Sequence, residues 1–110
     1  MADRSERIRE QIRILAAEFF KLESDRTSLI TVTNVQLTRD EKHATVCFTV
    51  LPEEKEVVAL HFARRHRGDF RAFIKKNASL KYIPFIEFDI DRGEKNRQRL
   101  DELSQEEDRT

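Results

Sequence analysis

Residues 29–50 read LITVTNVQLTRDEKHATVCFTV, and this stretch decides the fold class. Both of its ends are rich in β-branched residues, and the second end alternates apolar and polar side chains. The polar run 38–42 between them suits a hairpin loop. In the first half the apolar phase changes near Thr33-Asn34, and one extra residue there would keep both halves on one core face. The stretch predicts an antiparallel hairpin with a β-bulge.

Helical patterns lie on both sides of the hairpin. Before it, apolar residues at spacings of three and four predict an amphipathic helix from Arg4 to Glu23. Its apolar stripe contains Ile8, Ile12, Leu15, Phe19 and Leu22. After the hairpin, Pro52 ends the second strand and a second helix is expected to run to about Arg67. A third helix follows, with Phe70, Phe73 and Ile74 on its apolar face.

The rest of the chain predicts one more strand and a polar end. Residues 82–90 form the third strand, with Ile86, Phe88 and Ile90 on one face. A short helix is expected next, and then a polar acidic tail over residues 104–110 that we expect to be disordered. The predicted fold class is therefore α+β, with a single domain over residues 1–103, element order αββααβ, and helices on one face of a three-stranded sheet.

Length and composition fit this single domain. The chain has 110 residues, of which 38% are charged and 38% hydrophobic, with a formal net charge of zero. Its one cysteine, Cys47, excludes an internal disulfide and fits a reducing compartment. No apolar stretch approaches the ~18 residues of a membrane span, and none follows the N-terminus as in a signal peptide. We therefore expect a cytoplasmic monomer without membrane association.

Catalysis and metal binding are not favoured. His43 and Cys47 lie four residues apart on a strand, roughly 13 Å from one another, too far to share a metal ion or a proton. His61 and His66 are five apart on a helix and do not share a face. With two glycines in the whole chain there is no glycine-rich phosphate loop. The sequence predicts a protein that is not an enzyme, with no metal, cofactor or small-molecule substrate.

Basic residues are concentrated in one region. Between His61 and Lys81 there are seven Lys or Arg residues and a single acid, Asp69, which gives about +6, balanced by about −6 elsewhere. The seven are Arg64, Arg65, Arg67, Arg71, Lys75, Lys76 and Lys81. Four of them follow at spacings of three and four, as a stripe opposite the apolar face of the third helix. Such a stripe suits a column of phosphates on a nucleic acid, although it could equally solvate a helical face.

Gly68 lies in the middle of this basic region. As a structural residue it would be the C-cap of the second helix, with Asp69 capping the third. As a binding residue it would lie where free N–H groups at a helix N-terminus meet phosphate oxygens. Because the Asp69 carboxylate would compete for those donors, phosphates held by Arg67 and Arg71 are the safer expectation.

The order αββααβ is that of the type II KH domain, and local motifs narrow the resemblance. In the hairpin they are Thr31-Val32-Thr33-Asn34-Val35, Arg39-Asp40 and His43-Ala44-Thr45-Val46, preceded by Asp25-Arg26. Near the end they are Pro84, Phe88, Asp91, Arg99-Leu100 and Leu103. In order and spacing, the chain from about Arg7 to Leu103 resembles the bacterial ribosome-binding factor A family.

The resemblance implies both a site and a function. The family has a helix-kink-helix with an Ala-x-Gly pattern in place of the usual KH loop, and here that segment is His66-Arg67-Gly68. A serine expected after the last strand is Gly93 in this chain. The implied function is binding of the small ribosomal subunit and its ribosomal RNA during subunit maturation or cold adaptation. For this function, the RNA-binding residues expected from the charge pattern are the seven basic residues, together with Gly68 at the helix junction.

Two other functions stay open at this point. The acidic tail or the exposed sheet face could dock a protein partner, with the basic stripe only solvating a helix. A small enzyme is the third and least favoured reading. Since most Phe and Tyr residues are assigned to the core, any RNA binding is expected to rely on shape and phosphate contacts and not on base stacking.

Overall fold

The structure, a computed structural model, describes residues 3–23 and 27–108, with side chains described as far as Asp101. Its elements are α1 (Arg4–Glu23), β1 (Leu29–Leu37), β2 (His43–Leu51), a short 3-10 helix (Glu53–Lys55), α2 (Glu56–Arg65), α3 (Arg67–Asn77), β3 (Phe85–Ile90) and α4 (Arg92–Asp108). This confirms the predicted αββααβ order, with a fourth helix added. The Asp25-Arg26 motif lies outside the described residues. Within the described chain, no helix has the length and apolarity to cross a membrane.

The sheet has three strands in the order β1-β2-β3. β1 and β2 pair antiparallel, and the register shifts between Val32 and Asn34, which confirms the predicted bulge. β2 and β3 pair parallel, so α2 and α3 form the crossover between them. β3 begins at Phe85 and not at Tyr82 as expected, because Pro84 has no N–H to donate to a ladder. β3 is consequently a short strand at one edge of the sheet.

The core lies between one face of the sheet and helices α1, α2 and α3. Ile86, Phe88 and Ile90 face it from β3, as predicted. Phenylalanine rings from four elements meet at its centre, with the Phe20 ring centroid 5.4 Å from that of Phe48 and the Phe70 centroid 5.6 Å from that of Phe88. Rings at such distances pack edge-on or tilted and bury large apolar areas.

The apolar stripe of α1 ends one turn earlier than expected. Leu22 was predicted to be buried, but it is 70% exposed. The last buried positions of the helix are Phe19 and Phe20, and Phe20 lies outside the predicted stripe. Phe19 packs on α3 through Phe70 while Phe20 packs on the sheet, so the two aromatic residues fill the space between the layers and the final turn projects past them.

α4 is longer than the short helix expected. It has 17 residues and continues through Asp108, so its backbone includes most of the segment predicted as a tail. Ion pairs fasten its first half to the 3-10 helix and to the first residue of α2. The Lys95 ammonium lies 2.7 Å from a Glu53 carboxylate oxygen and 3.0 Å from one of Glu56, and Arg99 also pairs with Glu53. The division of the chain at residue 103 stays a prediction.

Asp91 joins β3 to α4 and supplies a pH-dependent contact. Its carboxylate accepts hydrogen bonds from the Thr33 hydroxyl and, at 3.0 Å, from the Glu94 N–H in the first turn of α4. These bonds hold the pKa of Asp91 below its ordinary value of 3.8, and the hydrogen bond from Thr33 has the largest effect. The contribution of Asp91 to stability is therefore present above about pH 4 and is lost as the pH falls through the lowered pKa.

Replacing Asp91 with Ala should lower the free energy of unfolding at neutral pH by about 1–2 kcal/mol, since a helix cap and its hydroxyl partner are lost together. Urea unfolding from about pH 6 to about pH 3 should show this deficit shrinking, because protonation weakens the wild-type contact. Asp91→Asn keeps hydrogen-bonding capacity without the titrating charge and is the matched control. A deficit in the Ala variant that stays constant across the range would contradict this assignment.

Candidate nucleic-acid interface

A single residue, His66, separates α2 from α3. Its backbone N–H bonds to the carbonyl oxygens of Phe62 and Ala63, and its own carbonyl accepts the N–H of Phe70, so one helix ends where the next begins. The His66 ring lies 4.4 Å from the ring of Phe62, centroid to centroid, and its Nδ1 is 2.8 Å from an Asp69 carboxylate oxygen. His66 therefore contacts both helices at the junction.

This geometry corrects the capping prediction for Gly68 and Asp69. Gly68 is inside the first turn of α3, and its φ is not positive, so it is not the C-cap of α2. Asp69 does not cap α3, whose N-cap position is His66 with no side-chain hydrogen bond. No left-handed residue is needed because α3 restarts immediately after the break. The predicted helix-kink-helix is confirmed, but its break is at His66.

Three of the predicted contact residues reach across to the edge strand β3 or to Pro84, the residue just before it. Arg64 Nε lies 3.2 Å from Glu87 Oε1, and Arg64 Nη2 donates to the Phe88 carbonyl at 3.3 Å. Arg67 pairs with Glu87 at 3.6 Å, and Arg71 Nη1 donates to the Pro84 carbonyl at 3.0 Å. Since an edge strand leaves carbonyl oxygens unpaired, these guanidinium groups satisfy and cover the edge. The predicted stripe is thus partly a structural clamp.

Three other predicted residues keep their charges available. In the part of the chain that the structure describes, the charged groups of Arg65, Lys75 and Lys76 have neither an ion pair nor a hydrogen bond, and all three side chains are exposed. Helical spacing places Gly68 and Ala72, both exposed, on the same side of α3 as the two lysines. Arg65 is the last residue of α2, immediately before the break between the helices. We call these five residues, Arg65, Gly68, Ala72, Lys75 and Lys76, the junction face.

Gly68 leaves the junction face open. A Cβ atom built at this position would meet nothing within 4 Å, and the backbone conformation is open to any residue. Glycine in a helix costs roughly 1 kcal/mol relative to alanine, so neither packing nor backbone strain favours it here. What the missing side chain does provide is space for another molecule to approach the α3 backbone closely.

Lys81 lies apart from the junction face. It is in the loop between α3 and β3, with its ammonium nitrogen 5.7 Å from the centroid of the Tyr82 ring. That loop lines a groove together with the start of α1 and the β1–β2 loop. The structure therefore divides the eight predicted residues into a clamp of three, a junction face that holds four, and one groove residue.

Two exposed aromatic residues were not anticipated as surface groups. Tyr82 is 72% and Phe85 53% exposed, against the expectation that the aromatics mostly fill the core. The Phe85 ring lies 5.9 Å from that of His43, and the Arg67 guanidinium lies 5.6 Å from its centroid. The alternation of β3 contained the signal, because Phe85 is out of phase with the inward set that starts at Ile86.

The described residues give no support for thiol or metal chemistry. Burial, and then the charges of Asp91 and Asp89, raise the pKa of the Cys47 thiol, which opposes formation of a reactive thiolate. Among the described residues, no group of three or more His, Cys, Asp or Glu side chains is placed to hold a metal ion. The chemistry that this surface offers is the presentation of positive charge.

Fold and site together define a class of protein: a KH-like αββααβ domain of type II with a basic face at its helix junction. The family model of ribosome-binding factor A matches residues 4–104. The chain belongs to the ribosome-binding factor A family. Ribosome-binding factor A of Micrococcus luteus is 36% identical over 96 residues, which are 83% of this chain and 65% of that protein. The chain thus spans just under two thirds of that relative's length.

Solved structures of the family agree with the fold. The crystal structure of ribosome-binding factor A from Thermus thermophilus has a TM-score of 0.68 at 24% identity, over 78% of this chain and 94% of that one. A homology model of the Thermus thermophilus factor, fitted into a cryo-EM map of a 30S complex with that factor, has a TM-score of 0.66 at 25% identity. It covers 76% of this chain and 91% of that chain.

Proposed function

We propose that this protein binds the small ribosomal subunit during its maturation and that the junction face contacts phosphates of the ribosomal RNA. The observation that carries the proposal is that Arg65, Lys75 and Lys76 are exposed and have no ion pair or hydrogen bond within the described part of the chain. The two lysines lie on the same side of α3 as the small exposed residues Gly68 and Ala72. Cations without internal partners neutralise phosphates at the least cost, since no existing ion pair must break. Membership of a family with a relative fitted into a 30S complex supports the choice of partner.

The clamp residues have a supporting role in this proposal. Arg64, Arg67 and Arg71 hold the junction against β3, so the phosphate-binding groups are presented by a fixed pair of helices. Preorganised donors lose less conformational entropy on binding than flexible ones. The same arginines occupy the space between α3 and the β3 edge, which argues against an RNA strand pairing with that edge.

Co-sedimentation of the purified protein with isolated small and large subunits over a salt series tests the proposal. We expect association with the small subunit to fall steeply as salt increases, because each phosphate contact releases condensed counterions. Weak association with the large subunit at every salt concentration would show specificity. Binding that is indifferent to salt, or a saturable protein partner without RNA retention, would instead favour a protein-interaction module.

A further inference from the structure

We propose that the groove beside α1 is a second RNA site, which takes an unpaired nucleotide segment with a base on Tyr82 and its phosphates on the surrounding cations. This inference rests on the proposed function, since it presumes an RNA partner, but it concerns a different surface. The groove lies between the N-terminal half of α1, the β1–β2 loop and the α3–β3 loop, and its volume is about 770 Å³. That volume is within the range of sites that enclose small ligands.

The walls of the groove are fastened to one another. The Phe85 N–H donates to the Lys42 carbonyl at 2.8 Å, which joins the start of β3, where the α3–β3 loop ends, to the β1–β2 loop. On the opposite side, Glu41 accepts from Arg4 at 3.1 Å and from the Ser5 hydroxyl at 3.2 Å, which joins the β1–β2 loop to α1. The groove is therefore formed before any ligand arrives, and binding would not have to order these loops.

Charge in the groove favours an anion. Its lining contains four cations, Arg4, Arg7, Lys42 and Lys81, and two carboxylates, so the net charge is about +2. Arg4 and Ser5 already engage the Glu41 carboxylate. Asp40 is occupied within its own loop, where its carboxylate accepts from the Thr38 hydroxyl at 2.7 Å and the Lys42 N–H at 3.1 Å. Among the described residues Arg7 and Lys81 have no carboxylate partner, so they are available to phosphates.

An aromatic platform accompanies the charge and selects single-stranded RNA among anions. Tyr82 exposes 72% of its surface, and the Lys81 ammonium lies 5.7 Å from its ring centroid. Proteins bind unpaired bases by stacking them on such rings while neighbouring cations follow the backbone. A duplex hides its base faces and could not use Tyr82 in this way. An acidic peptide would use the charge but not the stacking surface.

Binding of a fluorescent oligouridylate of about 12 nucleotides, followed by anisotropy, tests the groove. The groove variant carries Arg7→Glu, Lys42→Glu and Tyr82→Ala, and we expect its affinity to fall at least about tenfold. Tyr82→Phe keeps the ring and should bind like wild type. A variant of the junction face should keep most of the oligonucleotide affinity while losing the small subunit. Thermal melts verify that each variant is folded, since all the changed side chains are exposed.

The outcomes separate the two proposals. Oligonucleotide binding that is equal in the wild type and the groove variant, preference for a duplex of equal length, or no binding by the wild type would each overturn the groove site. None of these results requires loss of small-subunit association by the wild type. Conversely, a wild type that fails to sediment with the small subunit at any salt concentration overturns the proposed function, whatever the oligonucleotide does.

Discussion

Replacing Arg65, Lys75 and Lys76 together with Glu should reduce the affinity for the small subunit by at least about a hundredfold. In the proposed interface each substitution would remove one phosphate contact and place a carboxylate where a phosphate would lie, so attraction would become repulsion at three points. These residues have no internal partner in the described structure, so the variant should unfold at nearly the wild-type temperature. Co-sedimentation at a fixed low salt concentration, with a thermal melt alongside, measures both quantities.

A charge-matched control distinguishes this contact from a general electrostatic effect. Lys21, Arg92 and Arg97 are exposed residues on α1 and α4, and their replacement by Glu changes the net charge by the same amount. The ion pairs that Arg92 and Arg97 make at the surface contribute little to stability. If the control loses as much affinity as the junction variant, the binding depends on total charge and the assignment to the junction face is wrong.

Arg71 should behave differently from the junction face. Arg71→Ala removes the donor to the Pro84 carbonyl, so we expect the free energy of unfolding to fall by about 1 kcal/mol. Affinity for the small subunit should change little, because the guanidinium is committed to the β3 edge. An Arg71→Ala variant of normal stability with a large loss of affinity would return Arg71 to the set of RNA contacts.

The elements of the fold were predictable because each carries a local signal. Apolar spacing located α1, and β-branched alternation located the hairpin and even its bulge after Val32. The predictions were wrong where the burial or the position of a residue depends on the element that packs against it. Leu22 fits the helical stripe but extends past its neighbours, and Gly68 fits a helix end although α3 has already begun. Periodicity tells which side of a helix is apolar, but not where the packing partner ends.

The candidate site was less predictable for the same reason. Seven basic residues in one stretch indicated an anionic partner. Spacing alone could not tell which of them bind the β3 edge within the protein and which keep their charges available to a partner. Arg64, Arg67 and Arg71 follow each other at spacings of three and four, yet that row lies against the β3 edge, whose position depends on the parallel pairing of β2 and β3. The groove also escaped notice, since Arg7, Lys42 and Tyr82 meet only after the chain has folded.

Replacing Phe88 with Ala should cost about 3–5 kcal/mol of unfolding free energy, the largest single-residue effect that we expect in this chain. Phe88 is fully buried, and its ring centroid lies 5.5 Å from that of Phe20 and 5.6 Å from that of Phe70. The cavity would therefore open where α1, α3 and the sheet meet. Because small domains are stable by only about 5–15 kcal/mol, the melting temperature should fall by more than about 10 °C.

Phe85 provides a matched control three residues earlier on the same strand. The same group is removed in Phe85→Ala, but the ring is 53% exposed and its ring contacts are with His43 and Arg67 at the surface, so the cost should be within about 1 kcal/mol. Equal losses in the two variants would mean that the strand tolerates no truncation and that burial does not decide the effect. A much larger loss of unfolding free energy in Phe88→Ala than in Phe85→Ala would show that packing of the buried phenylalanine rings stabilises the domain. The fold would then not depend on the exposed Phe85 ring, which leaves that ring available at the surface.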